Sequence, residues 1–109
     1  MENLKIIRGD DVTLNTTFTD EDGDVVDISS ANLIFTIKEE VDSTAVLSKT
    51  VASGLHTSPA LGITEINLTH TETNIDAGDY YYDIQLTFGN GNVNSVEYGK
   101  IIVIPDITI

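Results

Sequence analysis

The longest regular alternation of apolar and polar residues in this chain of 109 residues runs from position 76 to position 88. In an extended strand, one side there carries aromatic and aliphatic residues and the other side carries mostly polar ones: Tyr80, Tyr82, Ile84, Leu86 and Phe88 against Tyr81, Asp83, Gln85 and Thr87. A period of two is typical of a strand with one face buried in an antiparallel sheet. The pattern predicts the strand around which an all-β domain is organised.

Shorter segments with alternating character occur before and after this strand. They predict strands at residues 4–8, 12–18, 25–28, 33–38, 45–51, 65–69 and 93–104. Turn residues separate them, including Asp22-Gly23 and the run Gly89-Asn90-Gly91-Asn92, which favour hairpin connections. Residues 52–62 have no alternation and form a predicted loop, either mobile or contact-making. Strands at this spacing, without a helical period, favour a β-sandwich.

The same alternation predicts which side chains face the interior. Leu33, Phe35 and Ile37 fall on one side of their strand and are expected in the core. The two faces of residues 45–51 stay undecided, because Val46 and Leu47 lie on opposite sides. Gly99 is the predicted position of a bulge at which the inward set changes from Val96 and Tyr98 to Ile101 and Val103.

One corner of the chain resembles a known fold. The spacing Asp76-x-Gly78-x-Tyr80-x-Tyr82 is similar to the start of strand F in immunoglobulin-like domains, where a Tyr hydroxyl bonds to upstream backbone and a Cys follows. Tyr82 stands at the position of that Cys, and Thr16 stands at the position of its partner in strand B. The resemblance implies that residues 1–109 form a single immunoglobulin-like antiparallel β-sandwich without a disulfide, with Phe35 replacing the core Trp.

Composition removes several classes of function. With 18 acidic and 5 basic residues, the formal charge is −13 at pH 7, which repels phosphate backbones and anionic lipid surfaces. Nucleic acid and membranes are therefore not expected as partners. The chain has no Cys, which excludes thiolate metal sites and suits a reducing cytoplasm. No export signal or membrane-spanning segment is predicted, and a domain of this size has no room for a second core.

Candidate chemistry is sparse. Asp20, Asp22 and Asp24 resemble alternating calcium ligands, but the glycine is misplaced and no Glu completes the loop pattern, so an acidic turn is the favoured interpretation. His56 and His70 have no metal-ligand partners at suitable spacing and are expected to be isolated surface histidines. No catalytic or phosphate-binding motif is present. We therefore expect no catalytic, cofactor-binding or metal residues, and a protein that is not an enzyme.

Five phrases carry a second resemblance: Arg8-Gly9-Asp10-Asp11, Phe18-Thr19-Asp20-Glu21-Asp22-Gly23, Phe35-Thr36-Ile37-Lys38, Ala77-Gly78-Asp79-Tyr80-Tyr81-Tyr82-Asp83-Ile84-Gln85, and Gly99-Lys100-Ile101-Ile102-Val103-Ile104-Pro105-Asp106. From residue 7 onward the chain resembles short tailed-phage proteins related to the N-terminal domain of baseplate upper proteins. The resemblance implies a non-enzymatic virion component, assembled in the host cytoplasm, whose partners are other virion proteins and copies of itself. Its place in the particle, in the head, neck, tail or baseplate, stays open.

The alternative is a carbohydrate-binding or adhesive immunoglobulin-like module of a phage or bacterial surface protein. Such a module needs an exposed aromatic platform, and the strands whose two faces the sequence assigns supply only Tyr81 on an outward face. Tyr81 is thus a candidate contact residue under either hypothesis, since exposed Tyr is enriched at interfaces.

The second candidate for docking is the apolar C-terminal tail, residues 105–109. Ile107 and Ile109 follow Pro105 and lie two positions apart, so they point to the same side of an extended segment. This arrangement predicts a docking strand for another virion subunit. The alternative, that the tail folds back on its own domain, stays open as well.

Overall fold

The computed structural model of the protein describes residues 2–40 and 42–105. Seven strands account for most of this part of the chain: β1 (Glu2–Ile7), β2 (Val12–Thr17), β3 (Asn32–Lys38), β4 (Ala45–Val51), β5 (Ile63–Leu68), β6 (Gly78–Thr87) and β7 (Val93–Ile104). Two short 3-10 helices, Ser53–Leu55 and Pro59–Leu61, lie between β4 and β5. None of the helices described is long and apolar enough to cross a membrane.

The strands form two sheets. The larger has the order β1-β7-β6-β3-β4, and the smaller pairs β2 with β5. β1 runs parallel to β7, and every other pairing is antiparallel. β6, predicted from the alternation, is the middle strand of the larger sheet. This strand order is that of an immunoglobulin-like β-sandwich, and because the chain has no Cys, the sandwich has no disulfide.

The core lies between the sheets and follows the predicted alternation of β3 and β6. Its fully or nearly fully buried apolar side chains come from both sheets and from the connections, and include Leu33, Phe35, Ile37, Ile66, Leu68, Tyr80, Tyr82, Ile84, Leu86, Ile101 and Val103. The rings of Phe35 and Tyr82 pack with their centroids 5.8 Å apart. Thr16, on β2, is also buried. An aromatic contact thus occupies the region where antibody domains have a disulfide and a Trp.

The predicted strand at residues 25–28 is wrong. Only Val25 forms a bridge, to Thr19, after the turn that begins at Asp20. The chain then leaves this hairpin, because the Ile28 amide donates to the carbonyl of Pro59 and the Ile28 side chain is fully buried. Residues 25–28 therefore anchor the loop and do not extend the sheet.

The bulge in β7 lies three residues before the predicted position. Ile84 pairs with Glu97 and Gln85 pairs with Ser95, so Val96 is the extra residue of β7, with no partner residue opposite it on β6. Ile101 and Val103 face the core as predicted. Tyr98, predicted to face inward, is 62% exposed, because the bulge changes the alternation before Tyr98 and not after it.

The free edge of β4 has a charged residue on its inward side. The orientation that the sequence left undecided places Leu47, Lys49 and Val51 on the side of the smaller sheet and Val46 outward. Lys49 donates to both carboxylate oxygens of Glu72, at 3.0 and 3.2 Å. The pKa of Glu72 is lowered, most strongly by the hydrogen bond from the Thr69 amide and next by the one from Lys49. An inward-pointing charge on an edge strand opposes pairing with another chain.

His56 is buried, and the prediction of a surface histidine is wrong. Its Nε2 lies 2.6 Å from the carbonyl oxygen of Ala31, and its Nδ1 lies 2.9 Å from the hydroxyl of Thr64. Since a carbonyl only accepts, Nε2 carries a proton and donates to Ala31. The ring therefore ties the loop of residues 52–62 to the residue preceding β3 in one sheet and to β5 in the other.

Tyr80 forms the corner that leads into β6. Its side chain is buried, and its hydroxyl donates to the carbonyl oxygen of Asp76 at 2.5 Å. Burial raises the pKa of the Tyr80 hydroxyl, and the carboxylates of Asp76 and Glu39 raise it further. The bond joins the start of the central strand to the connection that precedes it.

We expect Tyr80→Phe to lower the free energy of unfolding by about 0.5–1.5 kcal/mol, the usual net contribution of one hydrogen bond. Urea denaturation measures the change, with Tyr81→Phe as the matched control because Tyr81 points out of the same strand. An unchanged midpoint and slope for Tyr80→Phe would contradict a stabilising role for this bond.

Candidate functional site

The side of the larger sheet that faces away from β2 and β5 is the candidate site, and we call it the outer face. Its residues alternate along each strand with the core residues. They are Lys5 and Ile7 on β1; Val93, Tyr98, Lys100, Ile102 and Ile104 on β7; Asp79, Tyr81, Asp83, Gln85 and Thr87 on β6; Ile34, Thr36 and Lys38 on β3; and Val46, Ser48 and Thr50 on β4.

The strand register places two tyrosines close together on this face. Tyr81 pairs with Lys38 on one side and with Lys100 on the other. In the next outward row, Tyr98 pairs with Asp83. Tyr81 and Tyr98 are thus diagonal neighbours on adjacent strands, a distance that aromatic side chains span.

Exposed apolar side chains are concentrated on the outer face. Of the nine large apolar side chains exposed among the described residues, six are here: Ile7, Val46, Tyr81, Val93, Tyr98 and Ile104. Tyr81 is 40% exposed and Tyr98 is 62% exposed. The other three, Val25, Leu55 and Leu61, lie in connections away from the face. An exposed apolar patch with polar residues around it is typical of a protein-contact surface.

The charge of the outer face differs from that of the whole chain. Among the side chains that the structure describes, the face carries three of the five basic residues, Lys5, Lys38 and Lys100. It carries only two of the eighteen acidic residues, Asp79 and Asp83. The remaining described surface therefore carries nearly all of the net negative charge.

An open groove of about 420 Å³ lies at one corner of the face, beside the connection between β3 and β4. It is lined by Glu39, Glu40, Asp42, Asp79, Tyr80, Tyr81 and Lys100. Its lining has four carboxylates and one ammonium group, that of Lys100, so the groove is an acidic area beside Tyr81. Such groups suit hydrogen bonds and ion pairs with a partner.

The structure separates the residues singled out by the sequence into two groups. Tyr80 and Tyr82 are buried and support the fold, with Asp76 accepting the corner bond and Gly78 opening β6 at a φ of 150°. Tyr81 lies on the outer face as predicted. Ile107 and Ile109 lie outside the described residues, so their docking role stays a hypothesis.

The sequence missed Tyr98 as a contact residue. Its side chain was assigned to the core because the bulge was placed at Gly99, and the Val96 bulge turns it outward. The lysines at positions 5, 38 and 100 carry no local signal in the sequence. They come together only through the parallel pairing of β1 with β7 and the antiparallel pairing of β7, β6 and β3.

Two polar clusters lie elsewhere. His70 is exposed. Its backbone amide donates to Asp11 Oδ1 at 2.6 Å, and its ring Nδ1 lies 3.0 Å from the same oxygen. These bonds, led by the one from the amide, lower the pKa of Asp11. The expectation of an unpartnered His70 is therefore wrong, although its surface position is confirmed.

Asp20, Asp22 and Asp24 form the second cluster, with carboxylate oxygens within 4.8 Å of one another. All three are exposed. Asp20 Oδ1 already accepts the backbone amides of Asp22 and Asp24, at 2.9 and 3.0 Å. The carboxylate of Asp20 thus stabilises the turn itself.

Comparisons with known proteins add no family. No family model matches the chain, and no curated protein matches it. Among solved structures, murine CRIg is similar, with 9% identity over 97% of this chain and 93% of that one and a TM-score of 0.44. At this level the similarity carries no argument about function.

We expect no specific calcium requirement, because Asp20 Oδ1 is engaged by the turn and the other ligands of a calcium loop are missing. Adding a chelator at constant ionic strength should leave the melting temperature unchanged. A saturable rise with micromolar calcium would contradict this, since a ligand at 100 times its Kd stabilises by about 2.7 kcal/mol. Magnesium at equal ionic strength controls for charge screening.

Proposed function

We propose that this protein is a non-enzymatic structural component of a tailed bacteriophage virion, as a tail, baseplate or head-surface accessory protein. It acts by binding other virion proteins through the outer face. The observation that carries the proposal is the concentration of exposed tyrosines, aliphatic side chains and lysines on one sheet surface of an otherwise acidic chain.

The side chains of the outer face suit protein contacts. Tyrosines contribute large contact areas with few rotatable bonds, and they are enriched among residues that dominate binding energy. Tyr81 and Tyr98 lie on the adjacent inner strands β6 and β7, with Lys38, Lys100 and Asp83 beside them. An aromatic centre with a polar surround resembles the usual layout of an interface.

Strand addition at β4 is a less suitable mode of assembly. Lys49 points inward from this edge strand and is held by Glu72. A new strand at this edge would lie beside this partly exposed ion pair, and an inward-pointing charge on an edge strand opposes strand pairing. The face of the sheet, and not the β4 edge, is therefore the contact surface that we propose.

The virion setting is supported by the sequence resemblance and agrees with the chemistry of the chain. A charge of −13 disfavours nucleic acid and anionic membranes as partners. A domain that needs no disulfide folds in a reducing host cytoplasm, where virions assemble. We therefore place the protein in the virion, with other virion proteins as its partners.

We expect the double variant Tyr81→Ser/Tyr98→Ser to lower incorporation into tailed particles at least about tenfold, because truncating central interface tyrosines weakens affinity by that order. Mass spectrometry of particles purified from lysates that express each variant measures the ratio of this chain to the major capsid protein. Leu55→Ser is the matched control, since Leu55 is 74% exposed and lies away from the face.

Wild-type protein that is missing from purified particles would overturn the virion role. Normal incorporation of the double variant would overturn the role of the outer face. Circular dichroism melting of each variant checks that the fold is intact. The genes next to this one provide an independent test, because virion structural genes are expected beside it.

A carbohydrate-binding or adhesive role is the second candidate, and one observation favours it. Tyr81 and Tyr98 together form a small aromatic platform beside the carboxylates of Asp79 and Asp83. Sugar rings stack on aromatic faces while carboxylates accept their hydroxyl protons. A glycan array separates the two functions: binding that Tyr98→Ser abolishes and Leu55→Ser retains supports the adhesive role, and the absence of glycan binding rejects it.

A further inference from the structure

We propose that the outer face of one copy binds the outer face of a second copy, forming a two-fold symmetric dimer. This inference rests on the proposed use of the outer face for protein contacts, and it names the partner. Three features of the described residues support it: the area of the face, the match of apolar to apolar surface, and the distribution of charge.

The area of the face is sufficient for a stable dimer. The five strands of the larger sheet, β1, β7, β6, β3 and β4, have 6, 12, 10, 7 and 7 residues, which is 42 residues in all. At about 3.3 Å per residue and about 4.8 Å per strand, the face measures about 670 Å², which lies within the roughly 600–1,000 Å² that each partner contributes to a specific interface.

The apolar side chains of the outer face favour contact with the outer face of the second copy over contact with its other sheet. The opposite outer surface, on β2 and β5, carries exposed polar residues: Thr13, Asn15, Thr17, Glu65 and Asn67. Docking Tyr81, Tyr98 and Ile104 there would strip water from polar groups without supplying partners, which is unfavourable. Face-to-face docking buries these apolar side chains against each other, and a two-fold contact closes without forming a chain of subunits.

Charge also favours contact through this face. Two copies that each carry −13 repel each other wherever acidic surfaces meet. The described side chains of the outer face include three lysines against two aspartates, so copies that meet there turn most of their carboxylates away from the contact. Local repulsion is then small within the face, while the carboxylates of the groove at its corner and the two net charges still repel each other.

This remaining repulsion gives the dimer a diagnostic dependence on salt. The two shorter dimensions of the molecule are 28 and 23 Å, so the centres of docked copies lie about that far apart. The Debye length is about 30 Å at 0.01 M salt and about 8 Å at 0.15 M. Repulsion therefore acts across the dimer at low salt and is largely screened at the higher concentration.

Sedimentation equilibrium of the full chain at these two salt concentrations tests the proposal. We expect a monomer–dimer equilibrium whose Kd falls at least about tenfold as salt rises. Tyr98→Ser should weaken the dimer at least about tenfold, and Leu55→Ser should leave it unchanged. Both side chains are exposed, so neither change removes core packing.

A monomer at both salt concentrations would overturn the dimer. So would a dimer that weakens with salt, because that sign indicates pairing of opposite charges and not face-to-face contact. Open-ended oligomers, or a dimer unaffected by Tyr98→Ser, would also overturn it. A chain that stays monomeric but needs Tyr81 and Tyr98 for incorporation into particles would refute only the self-association and leave the proposed virion role in place.

Discussion

The fold depends on the burial of one side of β6 between its two neighbouring strands and against the smaller sheet. Tyr82 is central to that contact, because its ring packs on Phe35 from β3 while β7 holds its other flank. Burying a Phe side chain contributes about 1.5–3 kcal/mol, and a favourable aromatic pair adds about 0.5–1.5 kcal/mol. That is comparable to the roughly 2–4 kcal/mol of a typical disulfide. The aromatic pair joins two strands of the larger sheet, and the apolar core between the sheets holds the two sheets together.

Alternation of residues was sufficient to predict the features that depend on one strand at a time. β6, the inward set of β3 and the bounds of β4 all follow from period-two patterns in short windows. The corner at Tyr80 was also accessible, since its hydrogen bond joins residues only four positions apart. Local geometry determines each of these features, and local sequence therefore contains the information.

Features that depend on contacts between distant segments were not accessible in this way. His56 meets Ala31 and Thr64 only after both sheets have formed, so an isolated histidine in an unpatterned loop gave no sign of burial. The candidate contact face has the same origin, because Lys5, Lys38 and Lys100 belong to three strands. The bulge was misplaced because glycine is a common but not a required bulge residue, and backbone pairing alone decided its position.

The bulge at Val96 has a consequence for how β7 tolerates a change in its length. The one extra residue allows Val93 to lie on the outer face opposite Thr87 while Ile101 and Val103 lie in the core, although all three are odd-numbered positions of one strand. Removing Val96 would leave the other pairs in register, because Ser95 and Glu97 already lie opposite neighbouring residues of β6, so Val93 and Tyr98 would stay on the outer face. The bulge is therefore the point in β7 at which the chain can lose one residue without turning its core side chains towards solvent.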